Sequence, residues 1–212
     1  MVGRAVAALV VASFASVLVS CGGGSDENSG PVSAGLKIFA TDRVHNGNFA
    51  TDSLLTGNTA MDRADNFCET DSAKPDSGVY KALLVDGVDR DALLPADWVM
   101  KPNTPYYQSH NNVRIAVTDA NGLFGPNLEH DIHDSFGTGG TTNTPPPTST
   151  VWTGFEDGTT FTAYPMVCDA WSTSDRLVDA PFGISYGTDG TELRGPGGQV
   201  CSGESRIYCV EQ

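Results

Sequence analysis

The side chains whose spacing offers chemistry here are histidines, carboxylates and cysteines. Glu129-His130-Asp131-Ile132-His133-Asp134 sets two histidines three apart among acids. Wound as a helix, it would let His130 and His133 hold zinc or another divalent ion, with Asp131 and Asp134 beside them. As a loop it is polar surface, and that is the expectation, with no metal. Asp86, Asp89 and Asp91 form an Asp-x-x-Asp-x-Asp cluster of the oxygen ligands calcium takes. The glycine and final glutamate of an EF-hand loop are missing, so solvated turn carboxylates are expected. There is no Gly-x-Ser-x-Gly elbow and no His-Glu-x-x-His helix. Nothing pairs His45, His110, His130 or His133 with a nucleophile. Neither an enzyme nor a cofactor is expected.

Five cysteines divide into one and four. Cys21 ends a leader in which Arg4 is the only charge and Ala5 to Val19 is a run of fifteen apolar or small residues. That is the length of a signal-peptide core and shorter than the ~20 residues of a membrane span. Leu18-Val19-Ser20-Cys21 is what lipoprotein signal peptidase accepts, so cleavage before Cys21 and a lipid anchor on it are expected. Cys68, Cys168, Cys201 and Cys209 remain. An even number in an exported chain suggests two disulfides, with three connectivities open. A zinc–thiolate site is disfavoured, because no Cys-x-x-Cys pair occurs.

The elements that must position these residues are few. Residues 1–20 are read as the leader, 21–36 as the lipidated cysteine and a glycine-rich tether with little to pay for ordering, and 37–212 as one domain. Lys37–Thr41 reads as a first strand and His45–Asn48 as a turn, with Asn46-Gly47 supplying positive φ angles. Thr59 and Asp62 form a capping box for a helix that puts Met61, Ala64, Phe67 and Cys68 on one face, ending at Pro75 and Gly78. Val79–Val85 is a strand or a helical turn. Trp98–Met100, Val113–Val117 and Arg206–Val210 read as strands, and 137–150 as an exposed low-complexity loop. Order resumes at Val151–Gly154. Regular structure is sparse and turn residues are frequent, so a long-loop α+β domain is expected. Loss of Arg4 leaves 11 basic against 26 acidic residues, a net charge of −15. Such a surface repels nucleic acid, heparin and anionic headgroups.

Asp62–Cys68 with Gly78–Leu84, Val151–Gly154, Cys168–Thr173 and Cys201 with Ile207–Glu211 together resemble endostatin, the C-terminal domain of collagen eighteen. With Trp98–Thr104, they resemble more closely the endostatin-like domain of unknown function in leptospiral surface lipoproteins. The blocks span residues 38–211, with poor matching between about 120 and 150. The resemblance implies a C-type lectin-like fold with nested disulfides, Cys68 to Cys209 and Cys168 to Cys201, and Trp152 and Trp171 packed beside the inner bridge. The Glu-Pro-Asn or Gln-Pro-Asp and Trp-Asn-Asp triplets of calcium-dependent lectins do not occur. Endostatin's heparin arginines and N-terminal zinc histidines are not matched either.

A surface-tethered, loop-rich scaffold implies a binding module on the outer membrane or cell surface. Its expected ligand is an extracellular protein such as host matrix or complement; leptospiral relatives are credited with binding laminin and complement factor H. The alternatives are a structural envelope lipoprotein without a host ligand and, last, a metal-dependent enzyme centred on His130 and His133.

Overall fold

In the computed structural model, residues 35–93, 97–132 and 150–212 are described. Among the described residues, nine strands and one regular helix build a mixed α+β domain that is mostly sheet: β1 (Leu36–Ala40), α1 (Ala60–Glu69), β2 (Tyr80–Ala82), β3 (Pro105–Gln108), β4 (Arg114–Val117), β5 (Thr150–Trp152), β6 (Asp179–Ala180), β7 (Phe182–Ile184), β8 (Gln199–Val200) and β9 (Arg206–Glu211). The main sheet runs β4-β3-β1-β9-β5-β7, and β2 also pairs with β9. β6 and β8 form a separate ribbon.

β9 is the hub. Its Tyr208, Cys209 and Val210 pair antiparallel with β1. On the other edge its start runs parallel with β5 and its end antiparallel with β2. Strand side chains alternate between faces, so a strand buried on both sides reads as a continuous apolar run. Ile207 and Cys209 enter one core, with Phe39, Ala82 and Trp152. Tyr208 and Val210 enter the other, with Ile38, Ala40 and Val151. The sheet therefore separates two cores, and only the first is covered by the helix.

α1 forms for local reasons. The Thr59 side chain accepts from the Asp62 amide, while the Asp62 carboxylate accepts from the Thr59 amide, so two otherwise orphaned donors are satisfied reciprocally. Met61, Ala64, Phe67 and Cys68 are buried as the spacing predicts. The helix ends at Thr70, whose amide donates to Asn66, ahead of Pro75 and Gly78. Cys68 bonds Cys209 and Cys168 bonds Cys201. Of the three connectivities open to four cysteines, the structure holds the nested one.

Several expectations are corrected. Asn46-Gly47 makes no positive-φ turn; His45 bridges Ser205 and Asn48 bridges Ser172 instead. Glycine is needed at position 47 because a Cβ there would lie 2.4 Å from Cys168 Sγ. Gly47→Ala should therefore destabilise the domain by about 1–3 kcal/mol, read as a lowered urea midpoint, because the disulfide cannot yield. Trp98–Met100 is not a strand. Val99 and Met100 are buried, but Val99 carbonyl accepts from the Gln212 side chain rather than from a neighbouring strand. Val79–Val85 contributes the strand β2. β3 was not anticipated, since proline opens it; at the first position of a strand a missing N–H is tolerated. The expected loop at 137–150 lies, apart from Thr150, outside the described residues; Thr150 opens β5.

Candidate functional site

The turn at Asp86–Asp91 is built from its own sequence. Asp86 Oδ1 accepts the amides of Val88, Asp89 and Arg90, each at 2.9 Å. Gly87 supplies the left-handed φ of 72° that the reversal needs. Asp91 is buried, and its Oδ1 accepts the Leu93 amide. Asp89 is exposed, as expected of a turn carboxylate, but Asp86 and Asp91 are both buried and engaged with backbone. The turn sends Val88 outward, 72 % exposed, and Arg90 inward, fully buried. Arg90 makes a two-pronged pair with Asp65 of α1 at 2.9 and 2.8 Å, and also donates to Asp97 and to the Ala82 carbonyl. Asp65 is thereby tied to the core although it lies off the apolar face of α1.

Opposite this turn the chain is wound left-handed. Cys168, Asp169, Ala170 and Trp171 have φ of 47°, 53°, 53° and 60°. For L residues this hand costs roughly 1–2 kcal/mol each, and such strain persists only where the surroundings hold it. Both ends are held here. Cys168 is bonded to Cys201. Trp171 is fully buried, its ring nitrogen donates to Val85 carbonyl at 2.9 Å, and its ring packs edge-on to Trp152 with centroids 5.7 Å apart. The Trp152 ring nitrogen donates to His45 carbonyl at 2.7 Å. Both tryptophans belong to the core that contains the inner bridge.

Between the two turns lies a groove of about 450 Å³. Val88, Pro165, Met166 and Val178 give it an apolar lining, and Asp86 and Asp169 bring carboxylates to it. Met166 is 59 % exposed, and Leu177, next in the chain to Val178, is 91 % exposed. Among the described residues neither Asp86 nor Asp169 has a cationic partner. A concave apolar surface with a few fixed polar groups is the usual form of a recognition site.

A second hollow of about 410 Å³ lies by residues 156–159 and 189–197, but most of its polar groups are already spent on the protein itself. Burial pushes the Asp157 carboxyl up, yet the amides and hydroxyls of Thr160 and Thr159 outweigh this and bring it down to about 2. Asp189 is held by Thr191, and Arg194 donates to the carbonyls of Glu156, Gly195 and Gly197. Hydrogen-bonding groups consumed internally have little left for a ligand.

The histidine-rich string is only partly described. His130 shares a hydrogen bond with Arg114 carbonyl, and Asp131 accepts from the Gln108 side chain, so they face different strands. His133 and Asp134 lie outside the described residues, as does Cys21. Among the described residues no three His, Cys, Asp or Glu side chains are grouped to hold a metal ion. His45 is stacked on Phe49, with its ring nitrogens facing Asn46 carbonyl and Asp52. No described helix is long and apolar enough to cross a membrane.

A family model described as a protein of unknown function, DUF1554, matches residues 43–188. The chain belongs to the DUF1554 family. No curated protein matches it. The DUF1554 match contains the whole groove, α1 and the left-handed turn, but ends before β9, Cys201 and Cys209. Of the groove residues, the sequence singled out Asp86 in the Asp-x-x-Asp-x-Asp cluster and placed Asp169, Ala170 and Thr173 in a block of the resemblance; the apolar ones were not singled out. Their one signal was the presence of apolar side chains, Val88, Met166 and Leu177, in turn-rich stretches without strand or helix period.

Proposed function

We propose that this DUF1554 protein is a lipid-anchored binding protein of the outer membrane or cell surface. Its domain, read as a C-type lectin-like fold of the endostatin kind, recognises an extracellular protein such as host matrix or complement. The observation that carries this reading is the groove: exposed Val88 and Met166 beside carboxylates that have no cation among the described residues, on a backbone pinned by a disulfide. Exposed apolar surface gathered in a concavity on a rigid frame is what protein recognition uses. Two disulfides suit an exported chain. The acidic charge argues against nucleic acid and heparin as partners.

The test is saturable binding of laminin or complement factor H to the immobilised full-length chain. Met166→Lys, on an exposed side chain, should reduce affinity at least about tenfold by placing a charge in the apolar contact. Binding that is absent, or indifferent to this substitution, would remove the groove as the recognition site. The anchor is tested separately: Cys21→Ser should abolish incorporation of labelled palmitate in the expressing cell.

A further inference from the structure

We infer that the groove takes a basic segment of a protein partner, a lysine or arginine whose methylenes lie on Val88, Met166 and Val178 and whose cation meets Asp169. The inference rests on the groove being the recognition site and adds the chemistry of its occupant. Carboxylates without a cation are common in so acidic a chain; what distinguishes this place is that they border apolar surface. Asp65 and Asp97 are paired with Arg90, Asp71 with Arg43 and Asp76 with Lys37. Asp86 and Asp169 border an apolar surface and have no such partner among the described residues. The chain around them carries a formal charge of −14.

An acidic rim over an apolar floor has a definite complement. Lysine and arginine lay a hydrocarbon stem along apolar surface while keeping the charged head at its edge. A neutral apolar ligand would leave the exposed Asp169 carboxylate without return for its lost water, and an anionic one would meet repulsion. Leu177, next in the chain to Val178, is 91 % exposed, which gives neighbouring residues of a polypeptide somewhere to lie. A free polyamine would leave that surface in water. Asp169 sits in the left-handed turn closed by Cys168–Cys201, so its backbone is ordered before the partner arrives.

Fluorescence anisotropy of labelled peptides against the purified full-length chain tests this. Three twelve-residue peptides alternate leucine with lysine, with serine or with glutamate. The lysine peptide should bind saturably, about tenfold more tightly than the serine peptide, and the glutamate peptide should not bind. Asp169→Asn should weaken the lysine peptide about fivefold, flatten its salt dependence and leave the serine peptide unchanged. Asparagine tolerates the left-handed backbone, so the turn survives. Met166→Ser should weaken both peptides.

Lysine and serine peptides binding alike would overturn the basic partner while leaving the groove as a docking site. So would Asp169→Asn leaving the lysine peptide unaffected, because diffuse attraction to 26 acidic residues hardly notices the loss of one. Binding of every peptide that ignores Met166→Ser, or no binding at all, would remove the groove reading with it.

Discussion

Cys68→Ser with Cys209→Ser should lower the domain's stability by about 5 kcal/mol in the chain-entropy model, close to the whole stability of a marginal domain. The bridge spans 141 residues, so nearly the entire domain gains conformational freedom in the unfolded chain when it is lost. It also ties the last turn of α1 to β9, the strand that both cores share. Urea unfolding followed by tryptophan fluorescence, comparing the double variant with the parent, measures the effect. A shift under about 1 kcal/mol would mean that core packing alone sets the stability. The inner bridge behaves differently. It spans 33 residues, for which the same model gives about 4 kcal/mol, but its loss also lets the strained turn at Cys168–Trp171 relax. Cys168→Ser with Cys201→Ser should therefore cost less than that figure in global stability and more in groove binding. The two bridges are thus separable by experiment, the outer acting on the fold and the inner on the recognition surface.

Asp65→Ala should cost about 3–5 kcal/mol, an effect far out of proportion to an aspartate on the polar side of an amphipathic helix. Arg90 is fully buried, and Asp65 supplies two of its hydrogen bonds as well as accepting the Ala82 amide. Removing the carboxylate leaves a buried guanidinium with Asp97 and one carbonyl, and an edge amide of β2 without its acceptor. Breaking a buried pair is costly because the remaining charge cannot return to water. Adding Arg90→Met to Asp65→Ala should recover part of the loss, since an apolar side chain of similar length then fills the space. A double-mutant cycle in urea measures this coupling, and additive losses would show that the pair acts as two independent contacts. Arg90 also sets the direction of the Asp86–Asp91 turn, so Val88 should lose its place at the groove along with the pair.

Local physics wrote part of this protein into its sequence. The capping box at Thr59 and Asp62 and the apolar face of Met61, Ala64, Phe67 and Cys68 specify α1, because every signal lies within one or two turns of helix. β1, β4 and β9 are legible for a similar reason: each is a short apolar run between turn residues. The even count of cysteines beyond Cys21 implied two bridges.

Other features had no local signal. Nothing within Cys168–Trp171 favours a left-handed backbone, since no glycine occurs there and β-carbon sterics oppose it. The turn exists because Cys201, Val85 and Trp152, distant in the chain, fix its two ends. Arg90 among three aspartates reads as a surface residue, and only Asp65 and Asp97 beside it make burial tolerable. Gly47 looks like a turn glycine and is in fact room for a disulfide 121 residues downstream in the chain. The groove depends on all three of these placements. Sequence by itself determined the helix, the hub strands and the cysteine count, because those rest on neighbours in the chain. Tertiary structure decided the site, because its parts are held in place by contacts between segments far apart in sequence.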